Sequence, residues 1–221
     1  MNIGALLPHQ ARYRPDHLAL VVGDQRLTYQ GLNAVVNRLA NALLANGISK
    51  GEKIATVLPN CLELMTAYWA AAKTGIVIVP MSTLLQESGL ATLLRDSDSI
   101  AVFAEASFAQ TPDRIRGELP GLPADRFVLV GCQGETPPGF RTYEDFTAGA
   151  AEDNPPDPGL TDADVYNIMY LSGTTGELPI PEFVAGRGLQ LRSHSMDSAV
   201  LFASDPGLFH HCGLAWRRRH R

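Results

Sequence analysis

The sequence predicts an α/β fold, a mostly parallel sheet flanked by helices. Three observations carry that expectation. The short runs "KIATVL" (Lys53 to Leu58), "IVIV" (Ile76 to Val79) and "FVLV" (Phe127 to Val130) show no polar alternation, as strands covered on both faces require. Helical patterns of about ten to fifteen residues alternate with them, which implies crossover units. The 221 residues, 45% apolar and 19% charged, are enough to bury a core under such a sheet.

Taken in order, Leu18 to Val22 and Arg26 to Thr28 flank Gly23-Asp24, a turn-forming pair, and read as a short hairpin. Thr28 is placed to cap the helix that follows. In it Leu32, Val35, Val36, Leu39, Leu43 and Leu44 recur at helical spacing, with Asn33, Asn37, Arg38 and Asn41 on the other face. Gly47 ends that helix as a left-handed cap. After the strand Lys53 to Leu58, Asn60 is the expected N-cap of a helix over Cys61 to Lys73, stopped by Gly75. The run Ile76 to Val79 is bounded by Pro80. Glu87 to Arg95 reads as a helix, Ile100 to Ala104 and Phe127 to Val130 as strands, with a Pro- and Gly-punctuated loop before the second. Glu152 to Asp164, "EDNPPDPGLTDAD", is acidic and proline-rich and reads as an exposed linker. A strand Val165 to Leu171 follows.

Composition narrows the partners. A net charge of -5 argues against nucleic-acid or anionic-membrane binding. Cys61, Cys132 and Cys212 are widely scattered with no CxxC pair, so zinc and disulfide frameworks are not expected and a reducing compartment is. No stretch reaches the ~20 apolar residues of a membrane span. Met1 to Gln10 lacks the basic start and long apolar region of a signal peptide. A cytoplasmic protein is expected.

Ser172-Gly173-Thr174-Thr175-Gly176 carries the most chemistry. Two glycines let backbone N–H groups turn inward on an anion, and three hydroxyls add donors for phosphate oxygens. Its place after an apolar strand sets it at the carboxyl edge of the sheet, where α/β proteins bind ligands. The Walker spacing G-x-x-x-x-G-K-[ST] is absent. On composition alone, a Ser/Thr/Gly surface turn is the blander alternative.

"YLSGTTGE" (Tyr170 to Glu177) resembles the signature loop of the AMP-forming adenylate-forming enzymes, which include acyl-CoA synthetases, peptide-synthetase adenylation domains and luciferases. The upstream stretches agree in order. "LTYQGLNAVVNRLANALLANGISKGEKIATVLPN" resembles the family's opening helix and first core strand, and "AYWAAAKTGIVIVPMS" its alanine-rich helix and following strand. "ESGLATLLRDSDSIAVFAE" resembles the next helix and strand, and the match runs from Pro8 to Glu177.

The resemblance implies part of the N-terminal lobe of such an enzyme, most like a long-chain fatty-acid–CoA ligase, and a two-step reaction. A carboxylate attacks the α-phosphate of ATP with Mg²⁺, giving an acyl-adenylate and pyrophosphate, and the thiol of CoA then takes the acyl group. It also implies that Ser172, Thr174 and Thr175 hold the β- and γ-phosphates, that Gly173 and Gly176 permit close approach, and that Glu177 closes the nucleotide-binding stretch.

Departures from the family pattern are as informative. The pattern continues Gly-X-Pro-Lys-Gly, whereas Gly176 is followed by Glu177-Leu178-Pro179-Ile180-Pro181, so the loop lysine is missing. Gly31 stands where the family usually has a glutamate completing a capping box with Thr28. The family's adenine pocket, magnesium-binding glutamate, ribose-binding aspartate and C-terminal lid are not recognisable. The expectation is a partial lobe over residues 1–177, cut off past its phosphate loop, and a divergent or frameshifted tail over 178–221. That tail holds four of the six histidines, six arginines and no lysine. Its "RSH" and "GLFHHCGL" echo family segments at the wrong spacing. The alternative to a ligase is a catalytically inactive fragment with at most weak nucleotide binding, self-associating through an exposed lobe face.

Other candidates are weaker. His194, His210, His211 and His220 lack the spacing of a metal site, and "RRRHR" is a basic terminal run. Asp96 and Asp98 read as a solvated helix end, Tyr68 and Trp69 as core. Cys61 at a helix start suggests either a lowered pKa or a buried small side chain, the second being the simpler.

Overall fold

The computed structural model describes residues 2–119, 121–161, 163–170 and 182–184. The chain starts with a 3-10 turn, Ile3–Ala5, and helix α1, Leu6–Tyr13. Pro8 lies in the first turn of α1, where no intrahelical N–H is required. Leu7 buries this segment against Leu32 and Val36.

Strands β1, Leu18–Val22, and β2, Gln25–Thr28, form a separate antiparallel pair. Val22 pairs with Gln25, so Gly23-Asp24 make the expected two-residue turn. Helix α2, Tyr29–Ala45, follows at once. The Thr28 hydroxyl accepts from Gly31 N–H at 3.1 Å, while Tyr29 N–H and Gln30 N–H donate to the His17 and Pro15 carbonyls at 3.0 and 3.1 Å. Three of the four open donors of the first turn thus have partners. Asn46 caps the far end and Gly47 turns the chain at φ +73°.

The main sheet contains β3 (Lys53–Val57), β4 (Val77–Pro80), β5 (Ser99–Glu105), β6 (Phe127–Val130), β7 (Arg141–Thr142), β8 (Val165–Ile168) and β9 (Glu182–Val184). Its order is β7-β6-β5-β3-β4-β8-β9. The first six strands in that order run parallel, and only β9 is antiparallel, against β8. The mostly parallel α/β sheet read from the sequence is therefore present.

Helices cover both faces. On one, α3 (Leu62–Thr74) and α6 (Tyr143–Thr147) join α2 over Ile54, Ile78, Phe103 and Val128. Phe146 meets Phe103 edge-on at 5.3 Å. On the other, α4 (Glu87–Asp96) and α5 (Gln110–Ile115) cover Ala55, Val57, Val79, Val102 and Leu129. Burial on both faces is why these strands show no polar alternation. Tyr68 and Trp69 pack against core clusters, as read from the sequence.

Two expectations shift. Cys61, not Asn60, is the N-cap of α3, and it caps through backbone alone. Asn37 is not on a solvent face but 1% exposed, because α3 and a distant segment cover that side of α2. The stretch between α6 and β8 has no regular structure and is mostly exposed, as expected of a linker. It is nevertheless fastened. The Asn41 amide donates to the carbonyls of Ala151 and Asp153, both at 2.9 Å, and Arg38 pairs with Glu152. Further along, Lys50 bonds the Gly159 carbonyl at 3.1 Å and Asp164 at 3.0 Å.

Candidate functional site

A parallel sheet gathers all its carboxyl ends on one edge, and the connections decide where that edge opens. The helix after β3 packs on one face, whereas those after β4 and β5, its two neighbours, pack on the other. Loops therefore diverge around the carboxyl end of β3, which makes it a topological switch point. The loop after β3 leads to Cys61 at the start of α3, and the loop after β4 runs to Gln86 at the start of α4. β8 lies beside β4 and ends on the same edge.

The proposed phosphate-binding residues Ser172, Gly173, Thr174, Thr175, Gly176 and Glu177 lie outside the described residues. What is described is the approach to them. Ile168 is buried and fixes the end of β8 in the second core. Two residues on, the Tyr170 hydroxyl donates to Asp96 at 2.7 Å, tying the stem to the end of α4. Burial, reinforced by that carboxylate, raises the Tyr170 pKa and keeps its proton in place as a donor. Asp96, read from the sequence as merely solvated, is thus half of this tie. Tyr166 anchors the other face of β8 by donating to the Tyr68 carbonyl at 3.0 Å.

Two buried polar atoms near this edge, Thr56 Oγ1 on β3 and Asn167 Oδ1 on β8, have no hydrogen-bond partner among the described residues. The threonine hydroxyl can donate to an anion, but an amide oxygen only accepts and suits a hydroxyl or amine. Neither brings positive charge. The chain has three lysines, and all are engaged elsewhere. Lys50 pairs with Asp164 and Lys53 with Asp98 at 3.9 Å, both at the amino ends of strands. Lys73 is buried against amides at the end of α3.

The remaining candidates resolve simply. Cys61 is half-buried, and burial pushes its pKa up to about 11, so the activated-thiol alternative is overturned and the packing role stands. Among the described residues no three His, Cys, Asp or Glu come together as a metal site, and no helix is long and apolar enough to cross a membrane. The tail histidines fall outside the described residues. The sequence shows Asn33, Asn37 and Asn41 as a polar face of α2 but not their contacts with Lys73 and the linker. Their spacing of four was the available signal, because asparagine is a poor helix former and three on one face of a helix need a reason.

Comparison with known proteins adds to this geometry. The family model of the AMP-binding enzymes matches residues 7–178. A medium/long-chain-fatty-acid–CoA/3-oxocholest-4-en-26-oate–CoA ligase of Mycobacterium tuberculosis is 33% identical over 179 residues, covering 80% of this chain and 32% of that protein. The long-chain-fatty-acid–CoA ligase FadD13 of the same organism is 35% identical, covering 79% of this chain and 33% of its own length. The chain thus spans about a third of the length of these relatives. Among solved structures, the N-terminal domain of FACL13 from Mycobacterium tuberculosis superposes with a TM-score of 0.68 at 32% identity, covering 83% of this chain and 44% of that one. The anthranilate CoA ligase AuaEII, solved with anthranoyl-AMP, superposes with a TM-score of 0.77, covering 84% of this chain and 35% of that one; at 23% identity that likeness concerns the fold alone.

Proposed function

This chain belongs to the AMP-binding enzyme family, and from that premise we propose that residues 1–177 are part of the N-terminal lobe of an ATP-dependent acid–CoA ligase. The acid is a carboxylic acid of the fatty-acid class. The observation that carries the proposal is the order of parts at the carboxyl edge. A parallel strand beside β4, one strand from the switch point, feeds Tyr170, whose tie to Asp96 sets the stem, and the Ser172–Glu177 stretch follows two residues later.

In this reading Ser172, Thr174 and Thr175 hold phosphate oxygens of ATP, and Gly173 and Gly176 bring backbone N–H groups close to them. Mg²⁺, when bound, would neutralise charge on the phosphates; CoA is the acyl acceptor. The lobe's own task is to orient the phosphates in line with the attacking carboxylate. We place the protein in the cytoplasm, with residues 178–221 as a divergent or frameshifted tail.

One observation favours a second reading, a catalytically inactive fragment with at most weak nucleotide binding. Pro179 stands where the family pattern has its lysine, and the three lysines of the chain are held away from the carboxyl edge. Exchange of labelled pyrophosphate into ATP across a panel of medium- and long-chain fatty acids separates the two. Acid-dependent exchange is expected of the ligase; no exchange with any acid refutes that activity for this polypeptide. Equilibrium dialysis with ATP then measures what binding remains, and gel filtration tests association through the lobe face.

A further inference from the structure

Lys73 is the most unusual charged group in the lobe. Its side chain is buried, and no carboxylate among the described residues lies within ion-pair reach. Its ammonium instead donates three hydrogen bonds to three amide oxygens: Asn33 at 2.6 Å, Asn37 at 2.5 Å and Asn154 at 2.9 Å. An ammonium has three donors and no acceptor, so this tripod satisfies it completely.

The three acceptors come from two places. Asn33 and Asn37 stand four apart on α2, on one face. Asn154 belongs to the linker. The Asn37 amide nitrogen donates to the Glu152 carbonyl at 2.7 Å, which fixes which of its ends faces the lysine. One turn further, Asn41 bonds the carbonyls of Ala151 and Asp153. The Glu152 carboxylate goes to Arg38, not to Lys73. A polar ladder on α2 and a buried cation from α3 therefore grip residues 151–154 from below.

We propose that Lys73, Asn33, Asn37 and Asn154 form a latch that holds the linker onto α2 and α3 and so keeps β8 seated beside β4. The linker and β8 make up the unit that this latch retains. At its other end the linker is held by Lys50, and β8 itself has a single parallel neighbour, β4. Opening the latch releases the linker and loosens β8 while β3, β4 and β5 keep their own ladders. Neutral amides suit a device of this kind, because a carboxylate in place of Asn154 would bind the cation more tightly. The inference does not depend on the ligase reading.

Cleavage after Glu152 by a glutamate-specific protease tests it, with fragments identified by mass. Asn154→Ala removes one arm at an exposed position and is expected to speed that cut about tenfold, with little change in melting temperature. Asn154→Asp, which supplies a counter-charge, is expected to slow it below the unmodified rate. Lys73→Met is expected to cleave fastest; if it does not fold, the two Asn154 variants decide. Equal rates at Glu152 for the unmodified chain, Asn154→Ala and Asn154→Asp, all equally folded, would overturn the latch.

Discussion

Gly31→Ala is the sharpest test of how the lobe is put together. Gly31 is the third residue of α2, and its N–H is already bonded to the Thr28 hydroxyl. A Cβ added there would lie 3.6 Å from Thr28 Oγ1 and 3.7 Å from Leu27 Cδ2, both ordinary van der Waals distances. The substitution therefore meets no clash and keeps the cap. Glycine in a helix is less favourable than alanine by about 0.5–1 kcal/mol, largely through the entropy of the unfolded chain. The expected gain is that amount, or a rise of about 1–4 °C in melting temperature for a domain of this size. Gly31→Glu should match or exceed it, since its carboxylate can reach back to the Thr28 N–H and close a capping box. Urea titration followed by far-ultraviolet circular dichroism gives the measurement, with the midpoint moving up and the slope unchanged. A Gly31→Ala chain that is less stable than the original would refute the account of this helix start.

Three further outcomes follow from other parts of the lobe. Gly75→Ala should cost about 1–3 kcal/mol in the same titration, because Gly75 sits at φ +73° and a Cβ would come within 2.6 Å of Leu160 Cδ2 and 2.9 Å of Lys50 Cγ. Phe146→Ala should cost about 3–5 kcal/mol, since that ring is 2% exposed and packs on Phe103 with Arg141 over its face. Cys61, with its pKa raised by burial to about 11, should alkylate about tenfold more slowly at pH 8 than an exposed thiol, as peptide-resolved mass spectrometry can show. The folded thiol stays neutral where the unfolded one ionises, so its contribution to stability is present below pH 9 and lost as pH rises toward 11.

The elements legible in the sequence are those that carry their own reason. β3, β4 and β6 are apolar because both faces are covered, and α2 shows its buried face in Leu32, Val36, Leu39 and Leu43. What was not legible depends on distant partners. α1 is eight residues long and gains its place from Leu7 packing on α2. β7 is two residues, and α6 five. Neither length leaves room for a periodic pattern. Asn37 reads as a solvent-facing residue because its partners, Lys73 and Glu152, stand 36 and 115 positions away. At the candidate site the situation is reversed. The Ser172–Glu177 stretch is explicit in the sequence, whereas the Tyr170–Asp96 tie beneath it joins residues 74 positions apart.

The place of β3 at the centre of the sheet has a consequence for a chain leaving the ribosome. The first strand of the main sheet to be made already sits in the middle, and β4 joins one side of it before β5 closes the other. Growth then continues on the β5 side through β6 and β7, while β4 waits with an open edge until β8 emerges after residue 164. An unpaired, apolar strand edge is a template for other chains. Synthesis arrested at Ala150 should therefore give a species that self-associates more than one extended through Val184, a difference that light scattering would register. For this lobe the vulnerable interval is not the start of folding but the wait for its sixth parallel strand.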